Sequence, residues 1–128
     1  MFRKRSKSNK QHFGKQGEEL AAAYLEEKGY RIFKRNYRGG KAEIDIIATC
    51  DDTVVFVEVK RRATEEFGLA EEAVNRTKQK NLVKAARYFQ NEFELFDSCY
   101  RFDVIAISGD DGSLGEIRHY EGAFVLPV

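Results

Sequence analysis

The chain has little that would form a redox or metal scaffold: among 128 residues there are two cysteines, two histidines and no tryptophan. Cys50 and Cys99 stand far apart without a second ligand pair, so neither a disulfide framework nor a zinc site is indicated. His12 and His119 do not rescue one. No apolar run is long enough to span a membrane and no secretory signal opens the chain, so a soluble, cytoplasmic protein with no membrane partner is expected. Internal repeats are lacking as well. Acids are missing from the first fifteen residues, which carry Arg3, Lys4, Arg5, Lys7, Lys10 and Lys15.

What is present is an ordinary globular balance, 42% hydrophobic and 34% charged, in a length that suits one domain with a single core. The net charge of +1 hides an asymmetry. Beyond the first fifteen residues, 16 bases face all 21 acids, a net of −5. Rich in Lys, Arg, Ser and Asn, residues 1–13 read as a basic arm that stays unstructured until it meets something anionic, ahead of one domain over 14–128. Two further blocks hold bases and no acid, Lys28 to Lys41 and Ala73 to Asn91. Solvated surface is the plain alternative for all three.

The most informative stretch is Glu43 to Lys60, EIDIIATCDDTVVFVEVK. Apolar, β-branched residues fill Ile44–Ala48 and Val54–Val59, and Asp51-Asp52 supply a turn, so two central strands are predicted. Charges inside such strands must be paired or ligated, because burying a lone charge is very costly. Alternation places Glu43, Asp45 and Ile47 on one face, and Phe56, Glu58 and Lys60 on one face of the next strand. If the strands pair, Asp45 approaches Glu58 and Lys60. Carboxylates with an ammonium at a sheet surface make an oxygen site suited to Mg²⁺, and a structural salt bridge is the alternative.

Before these strands a helix over Lys15 to Lys28 is predicted, ending at Gly29, with Leu20, Ala21, Tyr24 and Leu25 facing inward and Glu18 on the same stripe. A strand over Tyr30 to Tyr37 follows, turning at Gly39-Gly40. After Lys60 come Arg61 and Arg62, a connection through Phe67-Gly68, and a second helix to about Glu92 with Thr77 as a candidate N-cap. Leu82, Ala85, Ala86, Phe89 and Phe93 line its buried side, and Gln79 near its start could reach the site. Tyr100 to Ile107 is a strand parallel to its predecessor across this helix. Asp103 interrupts it; pairing with Arg101 or a nearby base makes a structural role the simplest reading, and support of the metal site is the alternative. Gly109 to Gly115 turns into a last, edge strand at Ile117 to Tyr120. The sum is an α/β fold, a mixed sheet of about five strands with a helix on each face.

Several motifs run together. They are G-x-x-G-E-x-x-A-x-x-Y-L at Gly14–Leu25, R-N-Y-R at Arg35–Arg38, E-I-D-I-I at Glu43–Ile47, F-V-E-V-K-x-R at Phe56–Arg62, Phe67-Gly68, and R-F-D-V-I at Arg101–Ile105. With them the chain resembles the YraN family of small bacterial proteins, and through it the PD-(D/E)XK nuclease superfamily, distantly similar to archaeal Holliday junction resolvases. The resemblance covers about residues 12–125. It implies a restriction-endonuclease-like α/β/α domain and metal-dependent hydrolysis of a nucleic-acid phosphodiester, with DNA, branched or structured DNA included, as partner.

On that expectation Asp45 and Glu58 hold Mg²⁺ or Mn²⁺ with help from the Val59 carbonyl, Glu18 completes the shell or a second metal position, and Lys60 orients or helps deprotonate a water. Glu43, Gln79 and Arg62 would support the metal or substrate, and Lys34, Arg35, Arg38 and Arg61 would hold the phosphate backbone. A non-catalytic nucleic-acid-binding module, or an interaction protein keeping the same fold, is the alternative. Three converging acids favour the enzyme, since they repel phosphate without a metal. Association with a second copy stays open.

Overall fold

The computed structural model describes residues 7–62, 75–94, 98–109 and 116–124. Its elements run α1 (Lys7–Glu27), β1 (Arg31–Gly39), β2 (Ala42–Cys50), β3 (Thr53–Arg62), α2 (Arg76–Phe93), β4 (Cys99–Ser108) and β5 (Ile117–Phe124). One mixed sheet takes the strands in the order β1-β2-β3-β4-β5, parallel only between β3 and β4. Phe67-Gly68, most of the turn from Gly109 to Gly115, the first six residues and the Arg62 side chain lie outside the described residues.

Among the described residues each face of the sheet is covered by one helix, because each central strand presents apolar residues to both sides. Ile47, Val54, Phe56, Phe102, Val104 and Ala106 pack with Leu82, Ala85, Ala86 and Phe89 of α2. On the other face Ile46, Ala48, Val55, Val57, Ile105 and Ile107 meet Ala21, Ala22 and Leu25 of α1. This is the expected α/β/α layering.

Helix α1 ends as its sequence predicts. Gly29 is left-handed (φ 95°), its N–H donates to the Glu26 carbonyl and that of Tyr30 to the Leu25 carbonyl, the paired bonds of a Schellman cap. The start differs: α1 begins at Lys7, eight residues before the expected Lys15. Once nucleated over Leu20–Leu25, a helix extends at little cost per residue, even through a polar stretch. At α2 the N-cap is Asn75, whose Oδ1 accepts the Lys78 N–H at 2.9 Å, and Thr77 lies inside the first turn. Asn and Thr are both good caps, and the choice fell to the earlier residue. Strand β5 continues to Phe124, past the expected Tyr120, with an irregularity in its pairing between Phe102 and Val104.

Cys50 and Cys99 each flank Thr53, on opposite sides, in the ladders of β2 and β4. Two strand spacings of about 4.8 Å are too long for a disulfide.

The close approach of β1 to α2 depends on Gly39. A Cβ there would stand 2.8 Å from the Ala85 Cα and 2.9 Å from its carbonyl oxygen, both backbone atoms. Gly39→Ala is therefore expected to cost about 1–3 kcal/mol through overpacking, seen as a lower urea midpoint at unchanged slope. A parent-like midpoint would show that α2 is free to shift.

Candidate metal centre

The site forms where β2 and β3 part. Their pairing runs from Cys50↔Thr53 to Ile46↔Val57 and stops. One step further Asp45 and Glu58 would stand opposite, and the Asp45 carboxylate takes over: Oδ2 accepts the Val59 N–H at 2.8 Å. A carboxylate thus replaces a ladder bond, which fixes its position at the split.

Helix α1 brings Glu18 to the same place. Gly17 permits this, since a Cβ there would meet the Arg61 side chain at 3.2 Å. Carboxylate oxygens of Glu18, Glu43 and Asp45 lie within 4.8 Å of one another, a group able to hold a metal ion. Asn36 ties two of them. Left-handed at φ 54° inside β1, it sets its side-chain amide against acceptors alone, so the nitrogen belongs on that side, within donating distance of both Glu18 oxygens at 2.9 and 3.2 Å and of Glu43 Oε1 at 2.9 Å.

Glu58 sits on the α2 side of the split, with its side chain only 6% exposed. Its Oε1 accepts Lys78 Nζ at 2.6 Å and has Lys60 Nζ at 3.5 Å. Its Oε2 is buried, with no hydrogen-bond partner among the described residues. Lys78 projects from the first turn of α2 into a cleft of about 500 Å³, lined also by Lys41, Glu43, Asp45, Asn75 and Asn81. A larger cavity of about 690 Å³, lined by Phe33, Ile47, Val54 and Phe89 among others, contains none of Glu18, Glu43, Asp45, Glu58, Lys60 and Lys78. Glu43, Asp45 and Lys78 line the smaller cleft.

The electrostatics follow from this crowding. Burial, then the Glu58 charge, pushes the Asp45 carboxyl up to about 8 against the Val59 N–H that opposes them. Glu18 is raised too, by burial first and by Glu43, with Arg35 working against them. Lys60 is lowered by burial and by neighbouring Lys78. For Lys78, burial opposes the charge but the bond to Glu58 outweighs it, and the ammonium is favoured.

A stability consequence follows. Between the ordinary 3.8 and about 8 the folded chain holds a proton on Asp45 that the unfolded chain has released, so raising pH through this window removes stability. The metal-free protein is expected to lose urea stability from about pH 5 to about pH 8, and Asp45→Asn to flatten that decline. Parallel pH profiles for parent and variant would refute the assignment.

Of the residues expected from sequence, Glu18, Glu43, Asp45, Glu58 and Lys60 gather at the split. Arg35 and Arg38 are exposed on β1, with Arg38 paired to Glu43 in the ladder. Arg61 packs along α1, its Nη1 donating to Gln16 Oε1 at 3.0 Å. Lys34 lies over the Phe93 ring. Phe93 lies fifteen helical steps beyond Lys78, roughly 22 Å at 1.5 Å each, which places Lys34 away from the cluster. Gln79 sits next to Lys78 without lining the cleft. Two members of the site carried no assignment from sequence, Asn36 and Lys78. An Asn inside a strand is a weak signal of left-handed backbone. Nothing local marks Lys78, which depends on where the crossover helix begins.

Fold and site define an α/β/α domain with acids and lysines gathered where two central strands diverge. The model of the uncharacterised protein family UPF0102 matches residues 17–107. UPF0102 proteins are 50% identical in Chloroherpeton thalassium (77% of either chain) and 45% in a Sulfurihydrogenibium species (88% of this chain, 94% of the relative). In Bacteroides thetaiotaomicron the identity is 44%, over 90% of this chain and 93% of the relative. The chain belongs to the UPF0102 family, the YraN family that its motifs resemble. A solved structure of Pyrococcus furiosus SfsA in complex with Ca²⁺ is 18% identical at a TM-score of 0.39, covering 88% of this chain, which spans 64% of that one.

Proposed function

We propose that the protein is a Mg²⁺- or Mn²⁺-dependent nuclease that hydrolyses phosphodiester bonds of DNA, branched or structured DNA included. The observation that carries this is a buried glutamate, Glu58, with one oxygen unpartnered among the described residues, beside an acid trio that two lysines do not neutralise. Such a donor set of hard oxygens fits a divalent cation, with Asp45 and Glu58 as principal ligands and Glu18 and Glu43 behind them. When bound, that ion neutralises the scissile phosphate and acidifies the attacking water.

The chain's own residues do the rest. Val59 N–H locks Asp45, and Asn36 holds Glu18 and Glu43 in place. Lys60, destabilised as an ammonium by burial and by Lys78, is suited to orient the water and take up its proton. Arg35, Arg38 and Lys41 face the backbone of the nucleic acid. The ion pairs to Glu58 support a second reading, a nucleic-acid-binding module that keeps the fold without cleaving.

Incubation with supercoiled, linear, single-stranded and four-way-junction DNA decides between them. Cleavage of at least one substrate that needs Mg²⁺ or Mn²⁺ and stops with chelator is expected. Binding of all four without cleavage would leave the module.

A further inference from the structure

Lys78 stands outside the expected acid–lysine group, yet it makes the shortest ion pair to Glu58, 2.6 Å against 3.5 Å for Lys60. The two lysines reach the same Oε1 by different routes. Lys60 is part of β3, with its side chain 23% exposed, on a strand paired there with β4 through Ala106. Lys78 enters from the first turn of α2, is 39% exposed and lines the open cleft with Asp45 and Glu43. Its flexible stem can withdraw to solvent, whereas that of Lys60 starts within the sheet. Lys78 also shares the cleft with Asp45, so this one side chain lies by both acids expected to hold the cation.

We infer that Lys78 is a displaceable counterion: its ammonium takes the cation's place at Glu58 in the metal-free protein, and cation entry releases it into the cleft. This rests on the metal-site reading above. Two positive groups at one carboxylate oxygen are tolerable only while no divalent ion is there, and Lys78 is the one able to leave. Its exchange for a cation keeps Glu58 from ever being an unpaired buried charge, which would be strongly destabilising. Released, the ammonium stands on the cleft wall beside Lys41, where an incoming phosphate would meet it.

The test is calorimetric titration of the full chain with Mn²⁺, without nucleic acid, for the parent, Lys78→Gln and Lys78→Arg. Lys78→Gln should bind Mn²⁺ about tenfold more tightly than the parent, because no counterion has to leave. Lys78→Arg should stay near the parent. Thermal unfolding supplies a second readout that survives weak heats: Lys78→Gln should melt lower without metal and gain more from Mn²⁺ than the parent does. Unchanged or weaker Mn²⁺ binding by Lys78→Gln, with binding by the parent intact, would overturn the counterion role alone. No Mn²⁺ binding by any of the three would overturn the metal reading and this inference together.

Discussion

Asp45→Asn and Glu58→Gln are each expected to cut metal-dependent cleavage by at least about a thousandfold, roughly 4 kcal/mol of barrier, while nucleic-acid binding persists. Both exchanges keep shape and remove charge, so the loss would come from the site and not from the fold. Stability should separate them. Asparagine can still accept the Val59 N–H through its amide oxygen, and it relieves the repulsion that drives the Asp45 carboxyl up, so Asp45→Asn should be no less stable than the parent without metal. Glutamine at position 58 would set an amide among two ammoniums and lose both ion pairs, so Glu58→Gln should be destabilised by about 1–3 kcal/mol. Parent-like cleavage by either variant would sink the enzyme reading, whatever its stability.

Much of the fold was legible because its core is written in two periods. The apolar runs of Ile44–Ala48 and Val54–Val59, with Asp51-Asp52 between them, leave little choice but central strands covered on both faces, and the helix between β3 and β4 makes that pair parallel. Terminal segments were less so. The start of α1 at Lys7 and the continuation of β5 to Phe124 are carried by neighbours already in place, not by local pattern. The same divide runs through the site. Asp45 and Glu58 show themselves as charges where apolar residues belong, and Glu18 by its place on the buried stripe of α1. Alternation alone set Asp45 on the face of Glu43 and could not foresee that the strands separate there, letting Asp45 bond to the Val59 backbone while Glu58 turns to α2. Asn36 and Lys78 act through tertiary placement, which a single sequence does not encode at short range.

Asp103 lies on β4, opposite Val57, and is fully buried. Its carboxylate accepts Arg101 Nε at 2.8 Å and Nη2 at 2.9 Å, His119 Nε2 at 2.7 Å and the Gly122 N–H at 3.0 Å. The lysine ammonium of Lys28 can only donate to His119 Nδ1, at 3.2 Å, so the ring's proton belongs on Nε2, facing Asp103. Arg101 Nη2 goes on to the Tyr30 hydroxyl at 2.7 Å, and Tyr30 to Glu121 at 3.2 Å. One buried acid thus joins β4, β5 and the chain between α1 and β1, as its sequence reading as a structural residue expected. Asp103→Ala would leave a guanidinium, an imidazole N–H and a backbone N–H without their acceptor, and a loss of about 3–5 kcal/mol is expected, a large share of a domain's stability. The pH dependence has the opposite sign to that of Asp45. Burial works against the charge, but His119 and Arg101 outweigh it and hold the Asp103 carboxyl below its ordinary 3.8, so its contribution is present above that value and lost as pH falls through the lowered one. Asp103→Asn should flatten this acid limb. Urea midpoints of parent and both variants, measured from neutral to acid pH, check the magnitude and the sign. Mn²⁺ affinity in the folded variants should match the parent, since Asp103 does not belong to the acid cluster. Variants within 1 kcal/mol of the parent, or with altered metal binding, would refute a purely structural role.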